Sequence, residues 1–112
     1  MLFSYPKKLR LKNREQIQHA FYKAKKISCR KFSFFFKPNN LNYPRLGLII
    51  GKKAIQHAVQ RNRFKRIVKE SFRLQQHDLN GLDLIFVAYK GLDKISNEDF
   101  KQCLEKNLPR KK

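Results

Sequence analysis

Six cations in one short stretch, Arg61, Arg63, Lys65, Arg66, Lys69 and Arg73, are the residues of this chain whose chemistry is easiest to name. Their one local counter-charge is Glu70, so the positive groups repel each other unless a polyanion neutralises them. An upstream pair, Lys52-Lys53, adds to the same balance. Asn62 stands among them, and its amide can bond phosphate or ribose directly or accept from a magnesium-bound water. The spacing of other groups argues against other chemistries. A metal-dependent protein nuclease gathers carboxylates around its ions, whereas Glu15, Glu70, Asp78, Asp83 and Asp93 are dispersed, and Glu98-Asp99 suit the start of a helix. His19, His57 and His77 stand singly, and no pair of them suggests a base. Cys29 and Cys103 lack the paired spacing of a zinc or redox site and read as two separate reduced thiols.

A long helix must carry the cations. Periodicity predicts it over 57–76, and at about 100° per residue Phe64, Ile67, Val68 and Phe72 fall on one arc that includes the position of Arg61. Asn62, Lys65, Arg66, Lys69 and Arg73 fall on the neighbouring arc. Upstream, Asn13 followed by Gln16 reads as a capping box opening a helix over 13–25, with Ile17, Ala20, Phe21 and Ala24 as its apolar stripe. Residues 31–37 alternate as a strand, placing Phe32, Phe34 and Phe36 on one face and Ser33, Phe35 and Lys37 on the other. A second strand over 45–50 follows a Pro- and Asn-rich turn, and a hairpin is the economical connection. A strand over 82–89 and a last helix opening at Ser96 complete the order α–β–β–α–β–α.

The 112 residues fit a single domain spanning 1–112. Net charge is +19, and +18 of it lies in residues 1–73, so a polyanion should meet the first two thirds. Ten Phe and four Tyr exclude a disordered basic tail. No run is long enough to span a bilayer, and residues 1–8 lack the apolar stretch of a secretion signal, so a cytoplasmic location is expected.

The stretch Arg45-Leu-Gly-Leu-Ile-Ile-Gly-Lys52-Lys53-Ala54, followed by Ala58-Val-Gln-Arg61-Asn62-Arg63-Phe64-Lys65-Arg66-Ile-Val-Lys69-Glu-Ser-Phe-Arg73, resembles the signature of the protein subunit of bacterial ribonuclease P. The likeness extends to the N-terminal helix, the Phe-rich strand and the strand at Asp83-Leu-Ile-Phe-Val-Ala. It implies an accessory to a catalytic RNA, in a complex that cleaves precursor tRNA to leave the mature 5′ end. On this resemblance the RNA subunit hydrolyses with bound magnesium. The protein binds that RNA through Lys52, Lys53, Arg61, Asn62, Arg63, Lys65, Arg66, Lys69 and Arg73. Phe21 and Phe35 match aromatic positions of the family's 5′-leader cleft, and Ile17 stands where an aromatic is common. Rings on a basic surface suit single-stranded RNA, because they stack on any base. The implied fold is a two-layer α/β (α+β) sandwich with a mixed sheet. Its βαβ crossover is left-handed, as in some ribosomal protein domains, although general rules favour the right hand. Charge and size alone would also fit a ribosomal protein or a general RNA chaperone.

Overall fold

The computed structural model describes residues 14–29 and 31–107. In chain order the elements are α1 (Arg14–Phe21), β1 (Lys25–Ser28), β2 (Phe32–Pro38), β3 (Arg45–Ile49), α2 (Ala58–Leu74), β4 (Leu82–Ala88) and α3 (Asn97–Asn107). The expected cap Asn13 and the N-terminal residues 1–8 lie outside the described residues. The four strands form one mixed sheet in the order β1-β2-β4-β3, antiparallel except for the parallel pair β3 and β4. The architecture is α+β, and the predicted βαβ unit is β3–α2–β4.

Alternation along β2 sorts its side chains as expected. Phe32 and Phe34 enter the main core with Leu46, Leu84, Phe86 and the inner faces of α2 and α3, where Phe64 and Phe100 meet edge to face at 4.9 Å between ring centroids. Phe35 points the other way, into a smaller cluster with Ile17, Ala20 and Phe21 of α1 and Ile85 and Val87 of β4. The sheet therefore carries α2 and α3 on one face and α1 on the other. Ser96 opens α3 as predicted, its hydroxyl accepting from the backbone N–H of Asp99 at 3.2 Å.

Three expectations are corrected. First, the N-terminal helix stops at Phe21 rather than near residue 25, because Lys23 turns into the left-handed region at φ 56° and the chain enters a strand. That strand, β1, has no sequence signal of its own: Lys-Lys-Ile-Ser has one apolar residue, and pairing with β2 is what orders it. Its exposed lysines guard the outer edge of the sheet.

Second, β2 and β3 do not form a hairpin. Strand β4 lies between them, because Leu84, Ile85 and Phe86 are all fully buried and need cover on both faces. The 39–44 connection crosses the end of β4, where Asn39 donates its backbone N–H to Gly81 O (2.9 Å) and its amide to Asp83 Oδ1 (3.0 Å). Asp83, 1 % exposed, is held there by a bidentate pair from Arg45, both bonds 2.8 Å. The hydrogen bond to Asp83 pushes the Arg45 pKa up from its ordinary value, so the guanidinium keeps its charge through the alkaline range. Replacing Asp83 by Ala should cost about 3–5 kcal/mol in urea unfolding, because it leaves a half-buried guanidinium unpaired. The double variant Arg45→Leu/Asp83→Leu should recover much of that loss.

Third, Cys29 and Cys103 are not remote from each other: their side chains meet between the β1–β2 turn and α3. Because the sequence pattern does not reveal β1, it does not place Cys29 beside the last helix.

Candidate nucleic-acid interface

Helix α2 buries Phe64, Ile67, Val68, Ser71 and Phe72 against the sheet and α3. This orientation turns Asn62, Lys65, Arg66, Lys69 and Arg73 outward, where with Glu70 they line a shallow groove along the helix. Five of the nine residues expected to bind RNA thus share one surface. Glu70 is the single carboxylate in it, so the groove stays strongly positive even though Lys69 and Arg73 make contacts within the protein.

Arg61 and Arg63 are placed differently. Arg61 donates from Nη1 to the carbonyls of Ile55 and Gln56 at 2.9 and 2.8 Å, tying the loop before α2 to the helix. Its position within the apolar arc, between Val68 and Phe72 on the helical wheel, is the sequence signal for this half-buried role. The Arg63 guanidinium lies over the Phe64 ring, 5.5 Å from its centroid. Arg61 therefore orients the loop that carries Lys52 and Lys53, and its positive charge remains beside the groove.

Lys52 and Lys53 form a second concavity together with Gln56, Lys90, Asp93 and Lys94. Nothing in the local sequence pattern singles out the two later lysines. Parallel pairing of β3 with β4, in the register Ile49 to Val87, brings the residues that follow each strand side by side. Lys52 and Lys90 line one concavity for that reason, in the position beyond parallel strand ends where α/β sheets commonly bind ligands.

The third group sits on the opposite face of the sheet. Phe21 and Phe35 meet edge to face at 4.9 Å between centroids, Ile17 packs in the same cluster, and all three are half-buried. Lys26 Nζ stands 5.5 Å from the centre of the Phe35 ring. The three expected cleft residues are thus brought together, with a cation above the ring that strand alternation separates from the core. An aromatic surface with an ammonium group at its rim is chemically suited to stacked bases and their phosphates.

Among the described residues no three His, Cys, Asp or Glu side chains gather, and Glu70 is ringed by lysine and arginine. Among the same residues no helix is long and apolar enough to cross a membrane.

Residues 5–112 match the family model described as Ribonuclease P. The ribonuclease P protein component of Aliivibrio fischeri is 42 % identical over 106 residues, which cover 95 % of this chain and 91 % of the relative. A mutant of the Staphylococcus aureus RNase P protein superposes with a TM-score of 0.83 at 26 % identity, covering 91 % of this chain and 86 % of that one. The RNase P protein of Thermotoga maritima gives a TM-score of 0.73 at 25 % identity, covering 89 % and 98 % of the two chains. With a family match over almost its whole length, relatives at this identity and the same fold, the chain belongs to the ribonuclease P protein family, and its role lies in the processing of tRNA 5′ ends.

Proposed function

We propose that residues 1–112 act as one RNA-binding domain in the cytoplasm, the accessory subunit of a ribonucleoprotein endonuclease that removes the 5′ leader from precursor tRNA. The observation that carries this reading is the separation of two surfaces: a cationic groove on α2 beside the Lys52-Lys53 loop, and an aromatic patch under α1 on the other side of the sheet. Each suits a different form of RNA.

The groove meets the catalytic RNA. Lys65, Arg66, Lys69 and Arg73 neutralise backbone phosphates and release condensed counterions, Asn62 supplies a polar contact among them, and Arg61 and Arg63 flank the same helix. Lys52 and Lys53, joined by Lys90 and Lys94, extend the contact past the ends of the parallel strands. The aromatic patch holds the leader. Phe35 and Phe21 offer ring surface that any base can stack on, while Ile17 supplies apolar contact without stacking, so leaders of different sequence are accepted.

Hydrolysis belongs to the RNA subunit, with magnesium held mainly by that RNA. The protein's cations lower the electrostatic cost of bringing two RNAs together, which reduces the concentration of magnesium needed for assembly. Cleavage of precursor tRNA by rigorously purified protein, by the catalytic RNA, and by both together tests the reading. The protein alone should leave the precursor intact, and its addition to the RNA should give 5′ processing at low magnesium. Metal-dependent cleavage by the protein alone would refute it. Equal binding of bulk RNA and the catalytic RNA at raised salt would instead mark a general chaperone.

A further inference from the structure

We propose that Tyr22, Lys23 and Lys26, with Lys37, form a second platform for single-stranded RNA at the β1 edge of the sheet, taking the part of the leader upstream of the nucleotides held on Phe35. The inference rests on the leader-binding role of Phe35 proposed above and extends it.

Tyr22 follows the last residue of α1 and is 65 % exposed. An exposed tyrosine by itself is ordinary on a protein surface; what surrounds this one is specific. Lys23 Nζ lies 5.4 Å and Lys37 Nζ 5.8 Å from the ring centroid, one cation from the turn and one from β2. Lys37 is fixed in place, because its ammonium group donates to the carbonyls of His19 and Tyr22 at the C-terminal end of α1. Ring and cation therefore hold each other over the end of the helix.

This pair continues the aromatic patch. Lys37 stands two residues beyond Phe35 and so shares its face of the sheet. Lys26 pairs with Phe35 across the β1–β2 ladder and stands over its ring. Phe21 and Lys26 each meet the Phe35 ring, and Lys37, on the same face of β2, reaches the Tyr22 ring. No Asp or Glu occurs between residues 16 and 69, so α1 beyond its first turn, β1, β2 and β3 present no carboxylate to it. Asp83, opposite Lys37 in the β2–β4 register, has its oxygens taken by Arg45 and Asn39. An exposed ring between ammonium groups fits a base with phosphates on either side.

Sheet order sets the direction. Lys52 and Lys53 follow β3 at one edge, β2 lies inside, and β1 is the opposite edge. A leader whose cleavage-site end lies with the catalytic RNA at the β3 side crosses Phe35 in β2 and departs over β1, the edge strand of the sheet among the described residues. Its upstream nucleotides then reach Tyr22 after Phe35.

The test is the affinity of the assembled RNA–protein complex for precursors whose leaders are shortened one nucleotide at a time. With long leaders, Tyr22→Ala and Lys26→Gln should each lose about fivefold or more in affinity, and Tyr22→Phe should retain it. As the leader shortens, the Tyr22→Ala penalty should vanish at a length where the Phe35→Ala penalty is still complete. Tyr22→Ala binding like wild type at every length, while Phe35→Ala does not, would overturn the second platform alone. Disappearance of both penalties at one and the same length would overturn it too. Phe35→Ala binding like wild type throughout would remove the leader-binding reading itself and this inference with it.

Discussion

Changing Lys65 and Arg66 together to alanine should flatten the salt dependence of binding to the catalytic RNA by about two units of log–log slope, one for each phosphate that is no longer neutralised. Between 50 and 200 mM salt the variant should therefore lose about tenfold less affinity than the wild type. Both side chains face the groove and away from Phe64, Ile67, Val68 and Phe72, so the thermal midpoint should hardly move. Single changes at Arg63, Lys69 and Arg73 should each act in the same direction, by up to about one unit. Arg61→Ala should stand apart: it also releases the carbonyls of Ile55 and Gln56, so it should lower stability and loosen the Lys52-Lys53 loop as well. Filter binding over a salt series, alongside melting curves, measures both effects. Identical affinity and slope across the whole set would return the cations to the status of a solvated helix face.

Neighbouring phenylalanines in β2 should respond to truncation in opposite ways. Phe34 is 1 % exposed and packs against the rings of Phe32 and Phe86 at 5.8 and 5.5 Å. Its replacement by alanine should cost about 3–5 kcal/mol of stability, through reduced burial and the cavity left behind. Phe35 is half-buried and touches the smaller cluster under α1, so Phe35→Ala should leave the main core folded. Its cost should appear in precursor affinity, about 1–3 kcal/mol if one base stacks on the ring. Mature tRNA should bind both forms alike. A precursor trimmed to a one-nucleotide leader should also erase the difference, because the base that stacks is gone. A Phe35→Ala protein that unfolds, or that binds long-leader precursor as tightly as wild type, would make this ring a packing element.

What local pattern can express, the chain alone expresses well. The 3.6-residue period of α2 separates the buried Phe64, Ile67, Val68 and Phe72 from the groove-lining Asn62, Lys65, Arg66, Lys69 and Arg73, and the structure keeps that division. The two-residue period of β2 likewise separates Phe35 from Phe32 and Phe34. Both signals are strong because a residue's face is set by its own dihedral angles and those of its close neighbours.

Which strand lies beside which is a different kind of fact, decided by how much apolar surface the assembled sheet can cover. Strand β4 takes the inner position between β2 and β3 because its run Leu84-Ile85-Phe86 must be buried on both faces, and no turn signal near Pro38 or Pro44 could announce that. Strand β1, nearly without apolar residues, exists only as an edge laid against β2. From that tertiary order follow the approach of Cys29 to Cys103, the gathering of Lys52 and Lys53 with Lys90 and Lys94 around one concavity, and the placing of Lys26 over Phe35. Each joins residues distant in the chain, so no local period encodes it; only burying the strands together brings these groups to one place.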